Sequence, residues 1–233
     1  CSNLEKIDLS NNFDTSNVTT MRYMFDSCSK LKSIDLSSFN TINVTDMANM
    51  FRRCSSLTSL EFGDNFDTSK VTTMTNLFIE CSSLKSVKFG EKFKTSNVTK
   101  MNNMFKDCTS LTAVDLSKFD TSNVTDMSYM FSDSAIKELD LSNFDTSKVT
   151  TMQGMFRNTG SLKSIEFSDK FNAVQVTDML HMFTNSAVEE LDLRSFDTQN
   201  LTNIDQMFRD CSSLTKIEFG DNFNTSQVTD MSN

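Results

Sequence analysis

Residues 119–131 read Phe-Asp-Thr-Ser-Asn-Val-Thr-Asp-Met-Ser-Tyr-Met-Phe, and variants of this phrase return along the whole chain. Its first Phe recurs at Phe13, Phe39, Phe66, Phe93, Phe119, Phe144, Phe171, Phe196 and Phe223, in steps of 26, 27, 27, 26, 25, 27, 25 and 27 residues. Five residues after each stands an aliphatic side chain, Val18 through Val228 with one Leu201, and then a Thr, unbroken from Thr19 to Thr229. Self-similarity at such a period is the signature of a solenoid, in which each unit buries its apolar face only against its neighbours. The repeat divides the chain into a part-repeat 1–12, eight repeats over 13–222 and a part-repeat 223–233. Both ends fall mid-unit, so the expectation is one solenoid segment of a longer array.

Composition agrees. The 233 residues contain 21 Phe and 15 Met but no Pro or Trp, and only five Gly and one His. All the Phe and all the Met fall in fixed columns of the unit, so the apolar residues form one repeated stripe. Within a unit Met21, Met24, Phe25 and Cys28 stand at i, i+3, i+4 and i+7, which predicts one face of a short helix with Thr19 as a cap. Leu31, Ile34 and Leu36 then pass to alternation, the mark of a short strand with Asp35 outward. A second extended piece is expected over 18–21. The fold class that follows is an α/β repeat solenoid, leucine-rich-repeat-like, with one short parallel strand and one short helix per coil of about 26 residues. Its hand is expected to be right, as for parallel crossovers generally.

One covariation favours stacked coils. Repeats of 27 residues end the strand with Phe62, Phe89, Phe167 or Phe219, whereas repeats of 25 or 26 end it with Leu36, Leu116, Leu141 or Leu193. A larger inward side chain goes with a longer corner, as close packing demands.

The phrase at 119–131, with Cys-Ser-Ser-Leu following it in other units, closely resembles the repeat of the BspA-like leucine-rich repeat surface proteins, a family with mycoplasma-lipoprotein-type repeats. The resemblance implies a solenoid on a bacterial, or occasionally protist, cell surface, often associated with adhesion. It fixes a fold more firmly than a function.

The constellations that carry chemistry are sparse. Cys1, Cys28, Cys54, Cys81, Cys108 and Cys211 share one column that Ser134, Thr159 and Ser186 fill elsewhere, so buried free thiols are expected in preference to disulfides or a metal site. His181 stands alone, no Gly-rich phosphate loop is present, and carboxylates recur in every unit while a catalytic pair belongs to one cleft. No enzymatic activity and no cofactor are expected. A net charge of −9 argues against nucleic acid, and no apolar run is long enough to span a bilayer. The Thr column is expected to be structural, capping helices or bonding coil to coil. Asn17 and Asn123 lie in glycosylation-type triplets that the repeat itself generates.

The most suggestive feature is the outward strand position, occupied by Asp8, Asp35, Glu61, Lys88, Asp115, Asp140, Glu166, Asp192 and Glu218. At ~5 Å spacing neighbouring acids in water repel by about 0.8 kcal/mol before screening. This column is the candidate binding surface, for a partner that is a protein or glycan with cationic character. The expected function is a non-enzymatic module of the bacterial cell surface, extracellular by resemblance, mediating adhesion or binding. The alternative is a structural stalk, or a protomer that associates end to end through its apolar coil ends.

Overall fold

The computed structural model describes residues 1–9 and 13–232. The expected repeat boundary at residue 12 and the end of the last part-repeat at 233 lie outside them. The core is one continuous cluster along the array, in which Met47, Met50, Phe51, Cys54 and Leu57 and their counterparts through the coil of Phe183 are buried, while Ile204, Phe208, Cys211 and Leu214 of the following coil are half-buried. Met24 (39% exposed), Phe219 (49%) and Met231 (57%) belong to outer coils with a neighbour on one side only.

The eight Phe rings of the column from Phe25 to Phe208 stack continuously, with centroids 5.3 to 5.9 Å apart and planes within 18° of parallel. This face-on arrangement follows from the coil rise, because identical side chains on successive coils superpose.

The segment expected to be a helix is something else: among the described residues there is no helix. In the coil 93–118, Met101, Asn103, Phe105 and Asp107 donate their N–H groups to the carbonyls of Asp126, Ser128, Met130 and Ser132 in the next coil, at 2.9 to 3.0 Å. The alternate N–H groups of Met104, Lys106 and Cys108 bond back three residues, to Met101, Asn103 and Phe105. The result is a ribbon of tight turns. Two residues per coil take left-handed backbone angles, here Asn103 (φ 56°) and Asp107 (φ 60°), and each interrupts any run of helical dihedrals. Turn ribbon and helix place the same i, i+3, i+4 and i+7 side chains inward. They differ in where the N–H groups go, and stacking satisfies these between coils. The Thr19 carbonyl is used likewise, accepting both the N–H (2.8 Å) and the hydroxyl (3.2 Å) of Thr45, and the pattern repeats up the column to Thr202.

The extended piece near residue 20 is present as a parallel bridge through Thr20, Asp46, Thr73, Lys100, Asp126, Thr151, Asp178, Asn203 and Asp230. The strand side is less regular than expected. Strands β1 (Ser59–Glu61), β2 (Ser86–Lys88), β3 (Glu138–Leu141), β4 (Ser164–Phe167), β5 (Glu190–Leu193) and β6 (Lys216–Phe219) pair in parallel as β1 with β2, β3 with β4 and β5 with β6, not as one sheet. Pairing lapses between Phe89 and Leu116 and between Phe167 and Leu193, where a unit ending in Phe meets one ending in Leu, and among the described residues no strands pair between Leu36 and Phe62 or between Leu116 and Leu141. The long corner also passes close to the preceding coil. A Cβ on Gly90 would lie 2.5 Å from the carbonyl oxygens of Phe62 and Gly63, so only glycine fits.

A third ladder is buried. The hydroxyl of Thr121 donates to the carbonyl of Asp145 and accepts its N–H, both at 2.9 Å, and Thr15, Thr68, Thr95 and Thr198 relate to their neighbours in the same way. Ala173 takes this position in one coil, and there the relay to Asp197 is missing.

Candidate functional site

The strand face carries the outward column as expected, for the strands alternate exposed and inward residues, as Glu138 to Leu141 does with Leu139 and Leu141 inside. The column is not a uniform row of free charges. Asp8 pairs with Lys6 at 3.0 Å, Glu61 with Lys88 at 2.5 Å, and Glu218 with Lys216 at 2.7 Å. Arg194 bridges Asp192 at 2.5 Å and Glu218 at 3.5 Å. The repulsion anticipated from spacing alone is therefore largely cancelled at those coils. Asp35, Asp115, Asp140 and Glu166 are in no ion pair among the described residues, and three of them occupy consecutive coils.

Identity within the column follows the corner. Units ending in Leu carry Asp35, Asp115, Asp140 and Asp192, whereas units ending in Phe carry Glu61, Lys88, Glu166 and Glu218. The reason is local: each of these Asp carboxylates accepts the N–H of the residue two positions on, Ser37 at 2.8 Å, Ser117 at 2.9 Å, Ser142 at 2.9 Å and Arg194 at 3.1 Å. The short side chain reaches its own corner and closes it. The Ser hydroxyl, and then its N–H, hold Asp115 and Asp140 below the usual carboxylate value; Arg194 does so for Asp192 and Lys216 for Glu218. These acids are turn formers as well as surface charges.

Beside β4 the face is notched. A cleft of about 390 Å³ sets Lys163 and Lys216 against Glu189, Glu190 and Asp192. A second, of about 650 Å³, is lined by Glu166, Phe167, Asp169, Asp192 and Arg194. Both lie where β4 and β5 fail to pair.

The cysteines divide. Cys28, Cys54, Cys81 and Cys108 are buried, but Cys1 is exposed and Cys211 half-buried, contrary to the expectation for all six, and every one is a free thiol. Three of the buried thiols donate to the Phe carbonyl of the preceding coil, Cys54 to Phe25 at 3.1 Å, Cys81 to Phe51 at 3.0 Å and Cys108 to Phe78 at 3.2 Å. Burial pushes the Cys54 thiol up to about 12 and raises Cys81 and Cys108 as well. Such thiols are inert at neutral pH. His181 hydrogen-bonds Thr184 at 3.3 Å, and no metal-binding cluster is found among the described residues. Asn123 braces the coils, donating to the carbonyl of Ser96 at 2.8 Å.

The chain belongs to the family described as "Mycoplasma protein of unknown function, DUF285", which matches residues 2–89, 59–164 and 133–233. That is a family of repeat proteins, and no enzyme family is indicated. Among solved structures it is similar to a leucine-rich cell surface protein from Faecalibacterium prausnitzii A2-165, with 18% identity over 85% of this chain and 68% of that one, TM-score 0.33. It is also similar to a leucine-rich repeat protein from Bacteroides ovatus, with 14% identity over 91% of this chain and 77% of that one, TM-score 0.21. No curated protein matches the chain. No helix is long and apolar enough to cross a membrane among the described residues.

Proposed function

We propose that the chain is a non-enzymatic binding module of a bacterial cell-surface protein, and that its strand face meets a cationic segment of a protein or glycan partner. The observation that supports this is the run Asp115, Asp140 and Glu166, three successive coils whose carboxylates are in no ion pair while the flanking coils are neutralised internally. Unpaired charges at regular spacing steer and hold an extended basic partner at no cost in broken ion pairs. Asp8, Asp35, Glu61, Asp192 and Glu218 extend the same column, with Asp35 the remaining unpaired member. The alternative, a structural stalk, draws on the uniformity of the Phe ladder and needs no partner.

The readings separate with a lysine-rich peptide as probe. The variant Asp115→Asn, Asp140→Asn, Glu166→Gln removes three charges and keeps the acceptors that close the corners. A control variant, Asp14→Asn, Asp145→Asn, Asp197→Asn, removes as many charges from another edge. Binding lost in the first variant, retained in the control and weakened by salt supports the module; equal affinities in all three proteins refute it.

A further inference from the structure

We propose that the groove between the bridge column and the turn ribbon of the first coils is a binding site for a saccharide bearing a carboxylate or sulfate. The groove is open to solvent along its length, has a volume of about 470 Å³ and crosses four coils, from Arg22 and Tyr23 to Thr99 and Lys100. That volume falls in the range of small-molecule sites, about 300–1,000 Å³. Its depth comes from Ala48. The other coils carry Arg22, Thr75, Asn102, Ser128, Gln153, Leu180 or Asp205 at that position, and each is larger.

The walls are hydroxyls and amides already fixed in place. Thr73 donates to Thr75 at 3.1 Å, Thr75 to Asn102 at 2.7 Å, and the Asn76 amide to Asn49 at 3.0 Å. Asn49 and Asn76 hold left-handed backbone angles, φ 61° and 57°, which fix the direction of both side chains from the turn ribbon. The Oδ1 of Asn76 is a buried acceptor with no donor among the described residues. Pre-ordered polar groups of this kind bind a hydroxyl-rich ligand with little further loss of freedom.

Charge selects among such ligands. No carboxylate is among the lining residues; the nearest, Asp46, is engaged by the Ala48 N–H at 2.8 Å and by Arg22. Arg22 and Lys100 stand at its two ends, Arg22 leaning on Asp46 at 3.6 Å and Lys100 in no ion pair among the described residues. Tyr23 is 46% exposed, with the Arg22 guanidinium 5.1 Å from its ring centroid. A sugar ring presents hydroxyls to the threonines and asparagines, and an acid group on it meets Lys100 or Arg22. A nucleic acid would need a longer run of cations, and a peptide anchor would need an apolar pocket.

Calorimetry decides between outcomes, with a glucuronate disaccharide, a sulfated disaccharide and their neutral counterpart as ligands. One or both acidic sugars bind, the neutral one at least ten-fold more weakly, and which acid prevails names the group recognised. Ala48→Leu, which introduces the side chain found at Leu180, fills the groove and abolishes binding. Lys100→Ala weakens it about ten-fold, the worth of one charge-assisted hydrogen bond. Both variants unfold at the wild-type temperature, so a loss of binding is not a loss of fold. The proposal is overturned if neither acidic sugar binds, if the neutral sugar binds equally well, or if Ala48→Leu leaves affinity unchanged.

Discussion

Replacing Ala173 by Thr should restore the step of the buried hydroxyl relay that is missing at that coil. In the coils that have it, the Thr side chains are at most 3% exposed, so the position accommodates the side chain without strain. The new hydroxyl would accept the N–H of Asp197 and donate to its carbonyl, as Thr121 does with Asp145 at 2.9 Å. Each neutral hydrogen bond contributes roughly 0.5–1.5 kcal/mol net, and the ordering of one side chain offsets part of the pair, so Ala173→Thr should stabilise by about 1–2 kcal/mol. The reverse change, Thr121→Ala, removes both partners of Asp145 and should cost about 1–3 kcal/mol. Urea midpoints read the global effect, and amide exchange reads the local one, because coils of a solenoid open semi-independently. In the wild type the Asp197 amide should exchange faster than that of Asp145, and Ala173→Thr should slow it. A destabilised Ala173→Thr, or a Thr121→Ala indistinguishable from wild type, would refute the relay.

Other consequences can be measured on the same protein. Cys1 should react with a thiol reagent within minutes, and Cys211, half-buried with its thiol raised by burial, more slowly, while Cys28, Cys54, Cys81 and Cys108 wait for unfolding; uniform reactivity would contradict the burial of these four. Phe131→Ala, in the middle of the ring ladder and fully buried, should cost about 3–5 kcal/mol in urea titrations. His181 lies below its ordinary 6.5 in the folded chain, first through burial and then through Arg157 and Arg209, against the opposing pull of Asp205 and Asp178. The unfolded chain therefore binds the proton more readily, so this contribution to stability is full above pH 6.5 and is lost as pH falls through the lowered folded value. His181→Asn should flatten that slope, and an unchanged pH profile would exclude the assignment.

Much of this architecture was legible in the sequence, because a solenoid writes its core once per coil. The Met, Phe and Cys columns point inward as their spacing requires, and corner length tracks the Phe or Leu that ends each strand. The turn ribbon was not legible from spacing, since i, i+3, i+4 and i+7 suit a helix equally well. Its signal lay in composition: Asn49, Asn76, Asn103 and Gly154 in one column and Asp107, Asp133, Asn158, Asn185 and Asp210 in the other are residues that tolerate left-handed angles. The acidic column was visible, but its pairing was not, because Arg194 and Lys216 reach it from neighbouring positions and coils. The distinction between Asp in Leu-ended units and Glu in Phe-ended ones was there to be read as a turn signal. The groove above Ala48 could not be read from one unit, for it arises where a small residue in one coil meets larger ones in the next.

In the apolar segment of each coil every second N–H group bonds across to the next coil, and the others bond back three residues, where a helix would bond back four. Scalar couplings transmitted through hydrogen bonds measure this directly in isotope-labelled protein. The amide nitrogen of Phe105 should couple to the carbonyl carbon of Met130, whose oxygen lies 2.9 Å away, and Asn103 likewise to Ser128. A coupling from Phe105 to Met101, the partner four residues back that a helix would use, would contradict the account.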